Sequence, residues 1–233
     1  MNFGFIPYTK NWFSIQDDRV NISAYQKKDI PILQQIIAQY KNVTISKIID
    51  GEKLDWLPDE TETLQIDDPY YSRKLDALPK RLLKLILNYY ENRNLMPIYV
   101  DFDNLPPNLK FLTINTAELG LGLNTGLRNL PVGLEELTIN LEKYKEGDLD
   151  FLPANLKKFT FGAKIIDKPI ANLPAQLEDF TIDYGNVLTS DIELPASLKC
   201  LNLPASNCNL FYDQLVEKYK DTNIAIKYER ITF

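Results

Sequence analysis

A ten-residue phrase that recurs along the chain limits the fold more than any other feature of the sequence. Its pattern is Leu-Pro-x-x-Leu-x-x-[Leu/Phe]-x-[Ile/Leu/Phe], and full or looser copies begin at Leu57, Leu78, Leu105, Leu130, Leu152, Leu173 and Leu194. Successive copies are 21 to 27 residues apart, a period typical of a solenoid of stacked units. The last three residues of each copy alternate as in a strand, so each unit can bury its apolar edge only against its neighbours.

The same register extends to both sides of the seven copies. Thr44 lies 21 residues before Gln65, and Ala225 lies near the next position after Asn202, which gives about nine strands. Amphipathic segments at 30–40 and 210–220 predict a helix before the first strand and another before the last. We therefore predict a β-dominated α/β solenoid, a curved parallel sheet with an N-terminal cap (1–42), repeats (43–205) and a C-terminal cap (206–233). Because we expect the caps to cover both sheet edges, we predict a monomer.

The repeat resembles leucine-rich repeats, and among them the FNIP type more closely. The best match is LPANLKKFTFGAKIIDKPIANLPAQLEDFTI at 152–182, and the similarity covers residues 43–203. FNIP-type repeats are known from amoebae and from large viruses that infect them, and Leu-Pro-rich repeats occur in effectors that bacteria inject into host cells. The resemblance implies a binding module. The chain departs from ordinary leucine-rich repeats in one column, because the asparagine expected five residues beyond the middle apolar strand residue is absent.

The composition excludes several classes of function. The chain has no histidine, which removes catalytic arrangements and zinc sites that need one, and we expect no cofactor. Its net charge of −6 disfavours nucleic acid and membrane surfaces and leaves another protein as the expected partner. No apolar run is long enough to span a bilayer, and no secretory signal is recognisable. Cys200 and Cys208 are expected to be free thiols in a protein that is cytoplasmic or delivered into a host cell without a cleaved signal peptide.

The outward residues of the predicted strands describe the concave face. Charges alternate beside a mostly threonine column, and we expect them to pair between adjacent strands at Lys110, Glu135, Lys157, Glu178 and Lys199. The N-terminal half of the face differs because apolar and aromatic residues replace these pairs, a composition typical of interface hot spots. The candidate partner-binding residues are Lys84, Ile86, Tyr89, Phe111, Thr113, Asn115, Tyr70 and Tyr71.

We predict a non-enzymatic protein that binds another protein on this face, and two alternatives stay open. Residues 78–90 also fit a helix that resembles the start of an F-box, which would make the protein a substrate adaptor of a ubiquitin ligase. A glycosidase would need two carboxylates about 5 to 10 Å apart. Glu136 and Asp179 are the nearest candidates for this pair. The acidic run from Asp50 to Asp68 is interpreted as a solvated end, and the glycines of GLGLNTG as a loop.

Overall fold

The Leu-Pro phrase folds into a tight turn that leads directly into a strand. In the computed structural model, the N–H of the second leucine of the phrase donates to the C=O of the proline, as in Leu109 to Pro106 at 3.0 Å and Leu156 to Pro153 at 3.1 Å. The same bond closes the turns that end at Leu82, Leu134, Leu177 and Leu198. Proline suits the start of this turn because its φ is fixed and its missing N–H precedes the sheet hydrogen bonds.

The structure describes residues 12–23, 25–48, 53–68, 75, 77–89, 102–116, 126–141, 144, 149–163, 165–183, 186–187, 191–203 and 209–228. The elements in chain order are β1 (Phe13–Gln16), β2 (Arg19–Ile22), α1 (Ile30–Ile37), β3 (Asn42–Ile45), β4 (Thr63–Ile66), β5 (Lys84–Tyr89), β6 (Phe111–Thr116), β7 (Glu136–Leu141), β8 (Lys158–Ala163), β9 (Ile165–Ile166), β10 (Asp179–Ile182), β11 (Asn186–Val187), β12 (Cys200–Leu203), α2 (Asn209–Lys218) and β13 (Ala225–Tyr228). Short 3-10 turns lie at Lys27–Asp29 and Gly126–Asn129.

One curved sheet of eleven strands runs through the described part of the chain, in the order β1-β2-β3-β4-β5-β6-β7-β8-β10-β12-β13. From β2 onward all neighbours pair in parallel, and the register places equivalent residues of successive repeats opposite each other. β9 and β11 pair in a separate two-stranded sheet. The nine predicted strands are all present, and the predicted total is too low by two.

The two additional strands form a hairpin before the repeats. β1 pairs with β2 in antiparallel fashion, with Gln16 opposite Arg19 across a two-residue loop. Asp17 in this loop has a φ of 56°, a conformation that aspartate tolerates better than most residues. The sequence analysis missed β1 because it lies outside the repeat and pairs in antiparallel fashion, although Phe13 and Ile15 alternate with polar residues.

The core is a stack of equivalent apolar layers. In each repeat the second leucine of the phrase and the two inward strand residues are buried, as Leu134, Leu137 and Ile139 show at 0 to 1% exposure. Towards the C-terminal end phenylalanines replace leucines, and the rings of Phe159 and Phe180 stack with centroids 5.5 Å apart. Each layer packs only against its neighbours in the stack. The core is therefore a continuous row of layers along the sheet.

The two helices lie in the connections before β3 and β13. α1 has Pro31 in its first turn and buries Leu33 and Ile37 in the core. α2 buries Leu215, and the hydroxyl of Tyr219, just beyond the helix, donates to the Ile192 C=O at 2.6 Å. In the described part of the chain the sheet therefore ends in the strands β1 and β13 and not in helices. That the caps cover both edges of the sheet, and that the protein is a monomer, stay predictions.

The helical alternative for residues 78–90 is wrong. The segment forms a Leu-Pro turn followed by β5, which pairs with β4 on one side and β6 on the other. Its alternate residues Leu85 and Leu87 are fully buried, as the repeat pattern requires. The adaptor function depended on a helix here, and nothing in the described residues supports it.

Leu156→Ala should destabilise the protein by about 2 to 5 kcal/mol. Leu156 is fully buried at its turn, and its removal leaves a cavity that the packed layers on either side cannot fill. The free energy of unfolding in urea, followed by circular dichroism, measures this loss. The exposed Lys168→Ala is the control and should change it by less than about 0.5 kcal/mol. A loss below about 1 kcal/mol for Leu156→Ala would contradict the layered core.

Candidate functional site

A row of charged residues lies just before the strands on the open face of the sheet, which is the face turned away from the core. Main-chain N–H groups of one repeat donate to C=O groups of the preceding repeat along this row, at 2.7 to 2.9 Å. Adjacent strands are about 4.8 Å apart, so the side chains of neighbouring members are within contact distance. We call this row the charge ladder, and its members are Lys41, Glu62, Leu83, Lys110, Glu135, Lys157, Glu178 and Lys199.

Opposite charges pair along the charge ladder, as predicted. Glu135 accepts hydrogen bonds from Lys110 and from Lys157, the latter at 3.0 Å. These two lysines hold the pKa of Glu135 below its ordinary value. Further pairs in the ladder are Lys41–Glu62 and Lys199–Glu178. Most of the ladder is therefore satisfied within the protein and offers little to a partner.

Two apolar residues interrupt the rows of the open face at β5. Leu83 lies between Glu62 and Lys110 and is the uncharged member of the charge ladder. Ile86 is the apolar member of the central row, whose predicted register is confirmed from Thr44 to Asn202; beyond Asn202 the row continues with Lys227, and Ala225 lies opposite Cys200. The other members are Asn21, Thr44, Gln65, Thr113, Thr138, Thr160, Thr181 and Asn202. Both apolar side chains are half-buried, so both leave part of their surface accessible.

Lys84 and Phe111 lie opposite each other in the row between the charge ladder and the central row. Lys84 is exposed, Phe111 is half-buried, and the other neighbour of Lys84 is Thr63. Further along this row Lys158 pairs with Glu136 at 3.3 Å, but no acidic residue in the described part of the chain pairs with Lys84. We call Leu83, Lys84, Ile86 and Phe111 together the β5–β6 patch.

A row of amide side chains follows the central row at the far end of the same strands. The Asn115 side-chain amide donates to the Asn88 oxygen at 2.7 Å, and Asn88 donates to the Asp67 carboxylate at 2.6 Å. Asn140 is the next member, and its buried side-chain oxygen has no hydrogen-bond partner among the described residues. We call Asp67, Asn88, Asn115 and Asn140 the amide row. The sequence analysis named only Asn115; the recurring ILN and TIN at the ends of β5, β6 and β7 are the signal that could have identified the row.

The structure brings five of the eight candidate residues together. Lys84, Ile86, Phe111, Thr113 and Asn115 all lie on the open face of β5 and β6. In β5 it is Asn88, not Tyr89, that alternates in step with Lys84 and Ile86, and the side chain of Tyr89 lies outside the described residues. Tyr70 and Tyr71 also lie outside them, as do Cys208 and most of the GLGLNTG segment.

Comparisons with known proteins agree with this architecture. No family model and no curated protein matches the chain. Among solved structures it is similar to CroV588, a viral protein described as a circular leucine-rich-repeat protein, with 18% identity and a TM-score of 0.55. The match covers 84% of this chain and 28% of that one. The fold is that of leucine-rich repeats.

Two further features named in the sequence analysis can be placed in this leucine-rich-repeat-like solenoid. Asp68 is buried and accepts the Ile48 N–H at 2.7 Å, so the interpretation of the acidic run as a solvated end is wrong at this residue. Cys200 is a half-buried free thiol beside Asn202. In the part of the chain that the structure describes, no group of side chains could hold a metal ion, and no helix is long and apolar enough to cross a bilayer.

Glu135→Gln should lower the Tm at pH 7 because it removes the charge that Lys110 and Lys157 share. The pKa of Glu135 is lowered in the folded state, so its stabilisation is present at neutral pH and is lost as the pH falls through that pKa. The Tm difference between wild type and variant should therefore shrink as the pH is lowered from 7 into the acid range. Differential scanning calorimetry at several pH values measures it.

The control for this experiment is Glu193→Gln, which alters an exposed glutamate with no ion pair among the described residues. It should leave the Tm unchanged at every pH. An equal effect of both substitutions at pH 7, or a Glu135→Gln effect that grows as the pH falls, would contradict the pairing.

Proposed function

We propose that this protein is a non-enzymatic binding module and that the β5–β6 patch on its open face, the predicted concave face, is where a partner protein binds. The observation that carries the proposal is the local failure of the charge pairing. Along the charge ladder and between Lys158 and Glu136, charged residues pair with each other. At β5 and β6, in contrast, Leu83, Ile86 and Phe111 present apolar surface beside Lys84, which has no ion pair among the described residues. Apolar residues beside an unpaired cation are the composition of an interface hot spot.

The energetics favour this patch over the rest of the face. Removing apolar surface from water contributes about 25 cal/mol per Å², while an exposed ion pair contributes between about 0 and 1 kcal/mol. A partner placed over the charge ladder would also have to displace ion pairs that already exist, such as Glu135 with Lys110. A partner placed over the β5–β6 patch displaces no ion pair among the described residues and gains the apolar contact.

The proposal extends to the type of repeat and the place of action. The Leu-Pro phrase and the segment at 152–182 support assignment to FNIP-type repeats of amoebae and their large viruses, with effector-like repeats as the related possibility. The free thiol of Cys200 supports a reducing compartment, which is the cytoplasm of the producing cell or of a host cell. An effector or viral host-interaction role follows if the partner belongs to a host.

Phe111→Ser should lower the affinity for the partner at least tenfold, because a central aromatic contact in an interface contributes about 2 kcal/mol or more. Cys200→Ser is a matched control, because it places serine in the same row of the same face. Cys200 lies four strands from Phe111, with Glu136, Lys158 and Asp179 between them in the row. The measurement is affinity purification from amoebal lysate with quantitative mass spectrometry, using variants whose Tm is confirmed to be close to that of the wild type.

The expected result is a set of proteins retained by wild type and by Cys200→Ser but lost by Phe111→Ser. If Phe111→Ser retains every protein that the wild type retains, the patch is not the binding surface. If both variants lose the same proteins, the binding depends on the whole face and the proposal is wrong in its location.

A further inference from the structure

The exposed cation of the β5–β6 patch restricts the chemistry of the partner, provided that the patch is the binding surface proposed above. Four other lysines of the open face, Lys110, Lys157, Lys158 and Lys199, each pair with a glutamate. Lys84 lies between Thr63 and Phe111 and has no carboxylate partner in the described part of the chain. A carboxylate from the partner would give Lys84 the ion pair that these four lysines form within the protein.

The net charge of −6 does not oppose an acidic group at this position. Charges more than about 8 Å apart are largely screened at physiological ionic strength, so the nearest charged group determines the local interaction. The residues directly opposite Lys84 are uncharged, and Leu83 and Ile86 flank it on its own strand. Apolar surface that excludes water around Lys84 strengthens an ion pair formed there. The acid should therefore have an apolar side chain beside it.

The amide row indicates what the rest of the partner segment offers. The Asn115 side chain is exposed, and its oxygen has no donor among the described residues. It can accept an N–H group, and the main chain of any extended segment supplies such groups at regular intervals. Asn115 lies four residues beyond Phe111 in the same strand, a distance of about 13 Å at roughly 3.3 Å per residue. An extended segment of about five residues spans it.

We infer that the β5–β6 patch binds an extended acidic–apolar segment of a partner protein. Its carboxylate pairs with Lys84, its adjacent apolar side chain packs on Leu83, Ile86 and Phe111, and one of its main-chain N–H groups reaches the Asn115 oxygen. The segment runs along the direction of β5 and β6, because Lys84 and Asn115 lie at opposite ends of these paired strands.

The test is selection from a phage-displayed library of random 12-residue peptides on the wild-type protein, with removal of phage that also bind Phe111→Ser. Enriched peptides should share Asp or Glu within two positions of Phe, Leu, Ile or Met. Fluorescence anisotropy then gives their affinities. Lys84→Glu should weaken binding at least tenfold, and exchanging the acid of the peptide for lysine should restore binding to this variant.

Lys227→Glu is the control, because it makes the same charge change on an exposed lysine of the same face at β13. It should change the affinity less than threefold. Peptides that depend on Phe111 but carry no acid, or equal losses for Lys84→Glu and Lys227→Glu, would overturn the inference while leaving the proposed function standing. If no peptide depends on Phe111, the inference is overturned, and the lysate experiment with whole proteins decides the proposed function separately.

The main-chain contact has its own measurement. N-methylation of one peptide bond at a time should identify a position where affinity falls at least fivefold on the wild type and much less on Asn115→Ala. An N-methyl scan without any position whose effect depends on Asn115 would overturn the extended arrangement.

Discussion

Parallel main-chain hydrogen bonds between successive repeats are the interaction on which the rest of this structure depends. The turn closed from the second leucine to the proline sets where each strand begins, and the bonds of 2.7 to 2.9 Å along the charge ladder fix each strand to the one before it. A slip of one residue would exchange the buried and exposed faces of a strand. The repeats that begin at Leu78 and Leu105 are the two longest, at 27 and 25 residues. Their additional length leaves the register between β5, β6 and β7 unchanged.

The same register determines the chemistry of the open face. Because equivalent residues lie opposite each other, a change of residue type in one repeat changes one position in a row and leaves the others in place. Alternating lysine and glutamate make most of the charge ladder self-sufficient. The repeats that contain β5 and β6 depart from this pattern in three rows at once, at Leu83, Phe111 and Ile86, and the departures coincide in space only because the strands are in register.

The repeat pattern predicted the nine parallel strands, the rows and the ion pairs, because a fixed spacing and an alternating strand leave one consistent register. The Leu-Pro phrase did not predict β1 and β2, because neither strand follows a copy of it. The signal that could have identified β2 is its alternation, with Val20 and Ile22 buried, together with the 23 residues from Asn21 to Thr44. Leu83 was missed because a leucine in a leucine-rich repeat attracts no notice until its neighbours in space, Glu62 and Lys110, are known. Asp68 looked solvated because its acceptor role to Ile48 is a contact between repeats.

The most direct test is nuclear magnetic resonance on the labelled protein titrated with a selected acidic–apolar peptide. The account predicts that amide and methyl shifts change in Lys84–Tyr89 and Phe111–Thr116, including the methyl groups of Ile86, while those of Asp179–Ile182 and Cys200–Leu203 stay unchanged. Shift changes centred on the strands with complete ion pairs, or on the Leu-Pro turns, would contradict the claim that the failure of charge pairing marks the binding surface.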